Sequence, residues 1–252
     1  MVQWLIDKGG VSRYDTEEQG LFLYQHLRVQ NGKISHLSDH LELLKNTSKK
    51  FFGQSINLSE KIVQKQCEEL LYRGGYSTSA VHILELRIWQ SGEHQLRVIE
   101  TSLYKQFTLR VLRPKALVAE GYNFPFIAPT SAALSLLEFL RILALQQQCQ
   151  IAICTDKNSI VTSVDGATPI VVHGTKVTVG ENSSSLYTDL VVAALKNLPN
   201  HTTKIAPISL VDVESADELF YADSRGITAV GSLGSAHFSD SIAYAISKKM
   251  TF

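Results

Sequence analysis

Two histidines four residues apart would share one face of a helix, where a third ligand could complete a zinc site. They are His36 and His40. Asp39, followed three residues later by Glu42, has the pattern of a capping box and predicts that a helix begins there. That start would leave His36 outside the helix. We therefore predict no metal site and interpret both histidines as solvated residues at a helix entry.

Small residues near the C-terminus could let backbone N–H groups approach a phosphate. The stretch GSLGSA (231–236) holds Gly231, Ser232 and Gly234, but it matches neither GxGxxG nor a Walker sequence. A turn between a strand and a helix is the favoured interpretation. Asp165-Gly166 and the SDS at 239–241 contain hydrolase residue types, yet the chain has no GxSxG nucleophile elbow. Serine nucleophilic catalysis is therefore disfavoured.

Charge and composition exclude several classes of protein. The 252 residues include 24 Lys+Arg and 24 Asp+Glu, a net charge of +0. This balance gives no electrostatic footprint for nucleic acid or an anionic membrane. No apolar run approaches the ~18 residues of a membrane span, and the N-terminus does not resemble a secretory signal, so we expect a cytoplasmic protein. The three cysteines lack CxxC spacing and are expected to be buried free thiols.

The first half of the chain predicts a sheet with two helices. Asn31-Gly32 favours a type I′ hairpin turn, because both residues tolerate positive φ. One helix is expected from Asp39 and a second from Ser59, ending at Gly74-Gly75. Strands are expected, from aromatic and β-branched content, within 2–6, 20–29, 80–89, 94–104 and 107–112.

Residues 113–130 hold three of the six prolines. The residue before each proline is biased away from the helical region, so this stretch is predicted to link a domain of residues 1–112 to a domain of residues 131–252. The almost wholly apolar helix over 131–148 is expected to be buried between other elements. Strands follow at 150–155, 159–164, 168–172, 176–179, 204–211, 218–223 and 226–233, with helices at 184–196 and 239–249. The fold class is α/β (α+β).

Three segments carry a resemblance to a known family. They are GLFLYQHLRVQNGKISHLSDHLELLKNTSKKF (20–51), SIVTSVDGATPIVVHGTKVTV (159–179) and ADELFYADSRGITAVGSLGS (216–235). In motif and order they resemble the class IV aminotransferases: branched-chain and D-amino-acid aminotransferases and aminodeoxychorismate lyase. These are pyridoxal-phosphate enzymes of fold type IV. The resemblance implies a two-domain fold with the cofactor in the cleft between the domains, and a homodimer.

The same resemblance implies a lysine whose amine forms a Schiff base with the cofactor. Its position falls near Thr130, and the chain has no lysine from Ala116 to Asp156. Ser163 stands where the family has the glutamate that pairs with the pyridine nitrogen, and a hydroxyl offers no charge to keep that nitrogen protonated. The family's phosphate-binding arginine would lie near Leu43, but no arginine occurs between Arg28 and Arg73.

What remains of the implied site is Gly226, Ile227 and Thr228, at a strand end where the family binds the phosphate. The sequence therefore predicts a catalytically degenerate relative without bound cofactor, which binds a small anionic metabolite in the old cleft or serves as a partner subunit. The alternative is an active aminotransferase or lyase that uses pyridoxal phosphate with an amine from Lys105 or Lys115.

Overall fold

The computed structural model describes residues 4–7, 10–13, 20–102, 104, 106–122, 129–181 and 185–250. The chain forms two compact units. The first unit comprises Met1–Lys105 with Ala128–Leu134, and the second comprises Gln106–Ile127 with Ser135–Phe252. The predicted domains of 1–112 and 131–252, with the linker 113–130, stay a prediction. Lys105 lies outside the described residues.

The first unit is built on a six-stranded sheet in the order β2-β1-β6-β5-β3-β4. Asn31 and Gly32 have φ of 52° and 74° and join the third and fourth strands, which confirms the predicted hairpin. The strands are β1 Trp4–Asp7, β2 Gly10–Arg13, β3 Phe22–Gln30, β4 Lys33–Ile34, β5 Val81–Trp89 and β6 His94–Ser102.

Two helices of the first unit, α1 Leu37–Phe52 and α2 Glu60–Arg73, share one apolar core with the sheet. That core includes Leu27, Leu44 and Leu70. Ser59 caps α2 by accepting from the backbone N–H of Ile62, and α2 thus starts where the sequence predicted a helix.

The predicted start of α1 at Asp39 is wrong. The helix begins two residues earlier, after His36, which has left-handed dihedrals and no side-chain cap. Asp39 lies in the first turn, where a carboxylate favours the helix through its dipole rather than as a cap.

The second unit contains two five-stranded sheets, β12-β11-β10-β13-β14 and β16-β15-β7-β8-β9. β7, inside the predicted linker, pairs in parallel with β8. The strands are β7 Lys115–Glu120, β8 Ile151–Thr155, β9 Val161–Val164, β10 Ile170–His173, β11 Lys176–Val179, β12 Thr202–Ile205, β13 Glu218–Asp223, β14 Gly226–Ala229, β15 Ser232–Leu233 and β16 Ala236–His237. The remaining helices are α3 Ser131–Gln146, whose first four residues belong to the first unit, α4 Leu186–Lys196, α5 Leu210–Glu214 and α6 Ser241–Ser247.

Three expected strands differ from the structure. Residues 107–112 form only one isolated bridge, Leu109 to Ile227. The stretch 204–211 is divided between the end of β12 and the start of α5, because Ser209 forms a capping box with Asp212. The stretch 226–233 is two strands, and Gly234 turns β15 back onto β16, so the small residues of GSLGSA belong to a hairpin.

The expectation that α3 is buried between other elements is wrong. Phe139, Ile142 and Leu145 are 44%, 56% and 65% exposed, while Leu140 and Ala144 are its buried residues. The exposed residues recur every three positions and form an apolar stripe along one side of the helix. None of the helices among the described residues combines the length and the apolar composition of a membrane span.

Candidate functional site

A buried carboxylate, Asp165, is the centre of a polar network in the second unit. Asp165 and Gly166 have φ of 50° and 81° and form a two-residue turn closed by hydrogen bonds between the backbones of Val164 and Ala167. The turn aims the Asp165 carboxylate at Arg141 of α3, which donates from Nε (2.9 Å) and Nη2 (3.0 Å). This geometry is the bidentate pairing that arginine favours.

Arg225 joins two carboxylates of the network. Its Nη2 lies 3.6 Å from Oδ2 of Asp165, and its Nε donates to Oδ2 of Asp223 at 2.8 Å. Burial alone would lower the pKa of Arg225, but the charge of Asp223 and the hydrogen bonds to it raise the pKa instead. Arg225 therefore stays charged, and its guanidinium is largely committed to protein carboxylates.

Tyr221 and Thr228 extend the network across β13 and β14, where they are direct partners. The Tyr221 hydroxyl donates to Oδ2 of Asp165 at 3.3 Å, and its side chain is also hydrogen-bonded to Thr228. Since the hydroxyl proton of Tyr221 goes to Asp165, Thr228 is the donor in that second bond. Arg110 Nη1 then donates to Oγ1 of Thr228 at 3.3 Å. The bonds run in one direction, from Arg110 to Asp165.

The predicted anion-binding segment Gly226, Ile227 and Thr228 is the beginning of β14, and residues 108–110 lie directly against it. The Ile227 N–H donates to the Thr108 carbonyl at 3.1 Å, and Arg110 N–H donates to the Ile227 carbonyl at 2.8 Å. A Cβ at Gly226 (φ 136°) would lie 2.6 Å from the Thr108 oxygen, so this approach requires glycine. An anion here would have to be bound by side chains, because Ile227 uses both backbone groups internally.

Thr130, the position implied for the Schiff-base lysine, lies in the first unit and is fully buried. Its Oγ1 accepts from the Ala133 N–H at 3.2 Å, and its carbonyl accepts from the Leu134 N–H at 3.1 Å. Thr130 also forms an isolated bridge with Leu23 of β3. The residue thus caps α3 and has a structural role that the sequence did not indicate.

Ser163, the position implied for the family's glutamate, lies on β9 opposite Cys154 of β8. Burial raises the pKa of the Cys154 thiol, and a side-chain hydrogen bond from Ser163 acts in the opposite direction. The three cysteines are buried free thiols, as expected. Leu43, the position implied for an arginine, is half-buried on α1.

A second buried carboxylate, Glu85 of β5, lies in the first unit. Arg87 Nε donates to its Oε1 at 2.6 Å, Arg97 Nε donates to the same oxygen at 2.8 Å, and His26 Nε2 lies 3.2 Å from Oε2. Burial would raise the pKa of Glu85, but the His26 hydrogen bond and the charges of Arg97, His26 and Arg87 lower it to about 2. Sequence reasoning missed this cluster. Its signal was the pair of charges two residues apart within the apolar run VHILELRIW.

The two candidate metal-binding histidines have separate partners. His40 is buried, and its Nδ1 lies 2.9 Å from Oε1 of Gln25. Burial, with the charges of His36 and His26, lowers the pKa of His40 to about 3. His36 Nδ1 lies 3.3 Å from Oδ2 of Asp39. His40 is therefore a core residue rather than the solvated one predicted.

Comparison with known proteins identifies the family of the chain. The model of the family described as amino-transferase class IV matches residues 23–233. The chain belongs to the class IV aminotransferase family. The match covers most of the chain. It includes the three segments that carried the resemblance, except for the first three residues of 20–51 and the last two of 216–235. No curated protein matches the sequence significantly.

Solved class IV aminotransferase structures share this fold, which confirms the predicted α/β, fold type IV architecture. A branched-chain aminotransferase from Thermoproteus uzoniensis, with norvaline, superposes with a TM-score of 0.78 at 14% identity, covering 99% of this chain and 93% of that one. An aminotransferase from Brucella abortus, bound to PLP, gives 0.77 at 15% identity, covering 99% of both chains. A hypothetical aminotransferase from Mycobacterium tuberculosis, in its apo form, gives 0.76 at 11%, covering 96% and 97%.

Proposed function

We propose that this class IV aminotransferase family member has lost Schiff-base catalysis and binds a small anionic metabolite without a covalent bond. The observation that carries the proposal is the environment of Thr130. At the position implied for the lysine, the side chain is a buried hydroxyl that caps α3. No lysine occurs between Lys115 and Lys157, so a shift of register along this segment supplies no amine.

Pyridoxal phosphate is a candidate ligand, because the Brucella abortus relative binds it. The residues of the implied site suit some parts of this cofactor and not others. When bound, that cofactor supplies an aldehyde for covalent capture of amines and a ring that withdraws electrons. Thr130 and Ser163 provide neither the amine nor the carboxylate for this chemistry. Arg110 does fit the anionic part of such a ligand, because its Nε has no hydrogen-bond partner, and the bond to Thr228 positions its guanidinium.

The alternative function is an active aminotransferase or aminodeoxychorismate lyase that obtains its amine elsewhere. Lys115 is exposed at the start of β7, and the family match favours an enzyme in general. The two functions differ in one property, namely whether a lysine of the chain reacts with pyridoxal phosphate.

The test is incubation of the full chain with pyridoxal phosphate, followed by borohydride reduction and peptide mass spectrometry. We expect saturable binding of the intact ligand but no lysine modified in a one-to-one ratio. Lys115→Arg and Lys105→Arg are the matched variants. A stoichiometric adduct on the wild type that one of these substitutions abolishes would reject the proposal in favour of the alternative.

We also propose that the protein is a homodimer and that it is cytoplasmic, as expected from the sequence. The exposed stripe of Phe139, Ile142 and Leu145 on α3 supports self-association, because contiguous apolar surface is costly to leave in water. Sedimentation equilibrium should give a dimer for the wild type and a monomer for an Ile142→Glu, Leu145→Glu double variant. Glu138→Gln, at another exposed position of α3, is the control. A wild-type monomer at micromolar concentration would reject the dimer.

A further inference from the structure

Among the residues that the structure describes, one guanidinium nitrogen of Arg110 has a hydrogen-bond partner and two have none. Nη1 donates to Thr228, whereas Nε is buried and has no hydrogen-bond partner. In the part of the chain that the structure describes, Nη2 has no partner either, and Arg110 makes no ion pair within 4.0 Å. A buried donor without a partner is uncommon in folded proteins because it loses its hydration without compensation.

The two unbonded nitrogens lie on the same edge of the guanidinium. Nε–H and the nearer N–H of Nη2 point in parallel, which is the fork that binds two coplanar oxygens of a carboxylate or phosphate. The bond to Thr228 uses Nη1, which is not part of that edge, and it restrains the guanidinium. Thr228 is itself fixed, since it is fully buried and bonded to Tyr221.

The net charge of the network that contains Arg110 would be balanced by one anion. Arg110, Arg141 and Arg225 contribute three positive charges, and Asp165 and Asp223 contribute two negative charges. Asp165 is bound by Arg141 and Arg225, and Asp223 is bound by Arg225. The charge of Arg110 also acts on Asp223, but the hydrogen bonds to Asp223 come from Arg225. The network as a whole therefore has an excess of one positive charge.

We propose that Arg110 is an anion-binding residue of this protein and that its Nε–Nη2 edge receives one oxyanion, a phosphate or a carboxylate, beside Thr228. This inference rests on the proposed function, because it names the residue that recognises the anion. The close approach of residues 108–110 to Gly226 would then position Arg110 for this role. The absence of a Cβ at Gly226 lets the Thr108 carbonyl approach, since that Cβ would lie 2.6 Å from the Thr108 oxygen. This approach places Arg110 beside Thr228.

The test measures binding of two probes, inorganic phosphate and acetate, by calorimetry at constant ionic strength on the full chain. The wild type should bind at least one of them, and Arg110→Gln should weaken that binding about tenfold or more, since two charge-assisted hydrogen bonds are lost. Arg110→Lys should recover only part of it, because an ammonium group keeps the charge but lacks the fork. Arg73→Gln, which removes an exposed arginine of α2, is the control and should bind like the wild type.

Each outcome decides the inference. If Arg110→Gln bound the probe as tightly as the wild type, the inference would be wrong, although the protein would still bind anions. If Arg110→Lys bound it as tightly as the wild type, the claim that the anion bonds both Nε and Nη2 would be wrong. Failure of the wild type to bind either probe would overturn both the inference and the anion part of the proposed function. A lysine adduct with pyridoxal phosphate, together with Arg110-dependent phosphate binding, would reject only the proposed loss of catalysis. Thermal melts with and without phosphate check that each variant is folded.

Discussion

Glu85 in the first unit and Asp165 in the second are both buried carboxylates held by two arginines, but their surroundings differ. The side chains of Arg87 and Arg97 are 5% and 16% exposed, whereas those of Arg141 and Arg225 are 37% and 22% exposed. The Glu85 cluster lies along the neighbouring strands β3, β5 and β6. The Asp165 network continues through Tyr221 and Thr228 to the unbonded edge of Arg110. Similar ion pairs thus connect the strands of a sheet in the first unit, whereas in the second unit they are hydrogen-bonded onwards to a candidate ligand position at Arg110.

The largest effect should come from Glu85→Gln. Removing the charge leaves Arg87 and Arg97 buried without their carboxylate, and breaking a buried pair in this way typically costs about 3–5 kcal/mol. Urea unfolding at pH 7 measures the loss. Glu138→Gln, the same chemical change at an exposed position, should stay within about 0.5 kcal/mol. Equal losses in the two variants would contradict the structural role of Glu85.

Acid should weaken the first unit in two stages. The pKa of His40 is lowered from 6.5 to about 3, and that of Glu85 from 4.5 to about 2. Both are lower in the folded state, so their stabilisation is complete above the unfolded pKa and is lost as pH falls towards the folded pKa. For Glu85 the loss below pH 4.5 should be about 3 kcal/mol.

Tryptophan fluorescence measures this selectively, because Trp4 and Trp89 are the two tryptophans of the chain and both lie in the first unit. His40→Gln should flatten the dependence of unfolding free energy on pH between 6.5 and 4.5, and Glu85→Gln should flatten it below 4.5. A wild-type stability that does not change from pH 7 to pH 4 would show that His40 is protonated equally easily in both states.

Asp165→Asn should cost less than Glu85→Gln, about 1–3 kcal/mol, because Arg141 and Arg225 are partly exposed and water can solvate them after the charge is lost. Asparagine tolerates the positive φ of this turn, so the substitution changes the charge without straining the backbone. The same urea titration measures it. A loss larger than that of Glu85→Gln would reverse the comparison between the two units.

The smallest effect is expected from Tyr221→Phe. It removes one buried hydroxyl that bonds Asp165 and Thr228, at a cost of about 1 kcal/mol, and it leaves Arg110 in place. Phosphate affinity should therefore fall by less than in Arg110→Gln. If the two variants lost phosphate binding equally, the anion would depend on the whole chain of hydrogen bonds rather than on the Arg110 edge.

Features fixed by a few adjacent residues were predictable from the sequence. The Asn31-Gly32 turn and the Ser59 cap depend on local dihedrals and on a hydroxyl three residues from its donor. The position of Arg110 was not predictable, because its partner Thr228 is 118 residues away. Residues 107–112 have strand propensity, but they pair at a single bridge, and pairing depends on neighbours that propensity does not describe.

More charged side chains are buried in the structure than the sequence pattern indicated. The alternation of polar and apolar residues predicts which face of a strand is buried, and it would assign Glu85, Arg87 and Arg97 to solvent. These side chains are buried instead, because the two arginines donate hydrogen bonds to Glu85. Likewise, the apolar composition of α3 predicted burial, whereas its exposed stripe shows that composition alone does not determine which side of a helix is covered.

The cap that Thr130 provides has a consequence for the history of the chain. A substitution to lysine would discard the hydroxyl that binds the Ala133 N–H and would attach a charged chain at a fully buried position. The first change typically costs about 1 kcal/mol, and the second adds the penalty of burying a charge. Proteins have small stability reserves, so selection acting one substitution at a time would oppose this step. Thr130 is thus entrenched, and neighbouring residues would have to change before a lysine became tolerable there.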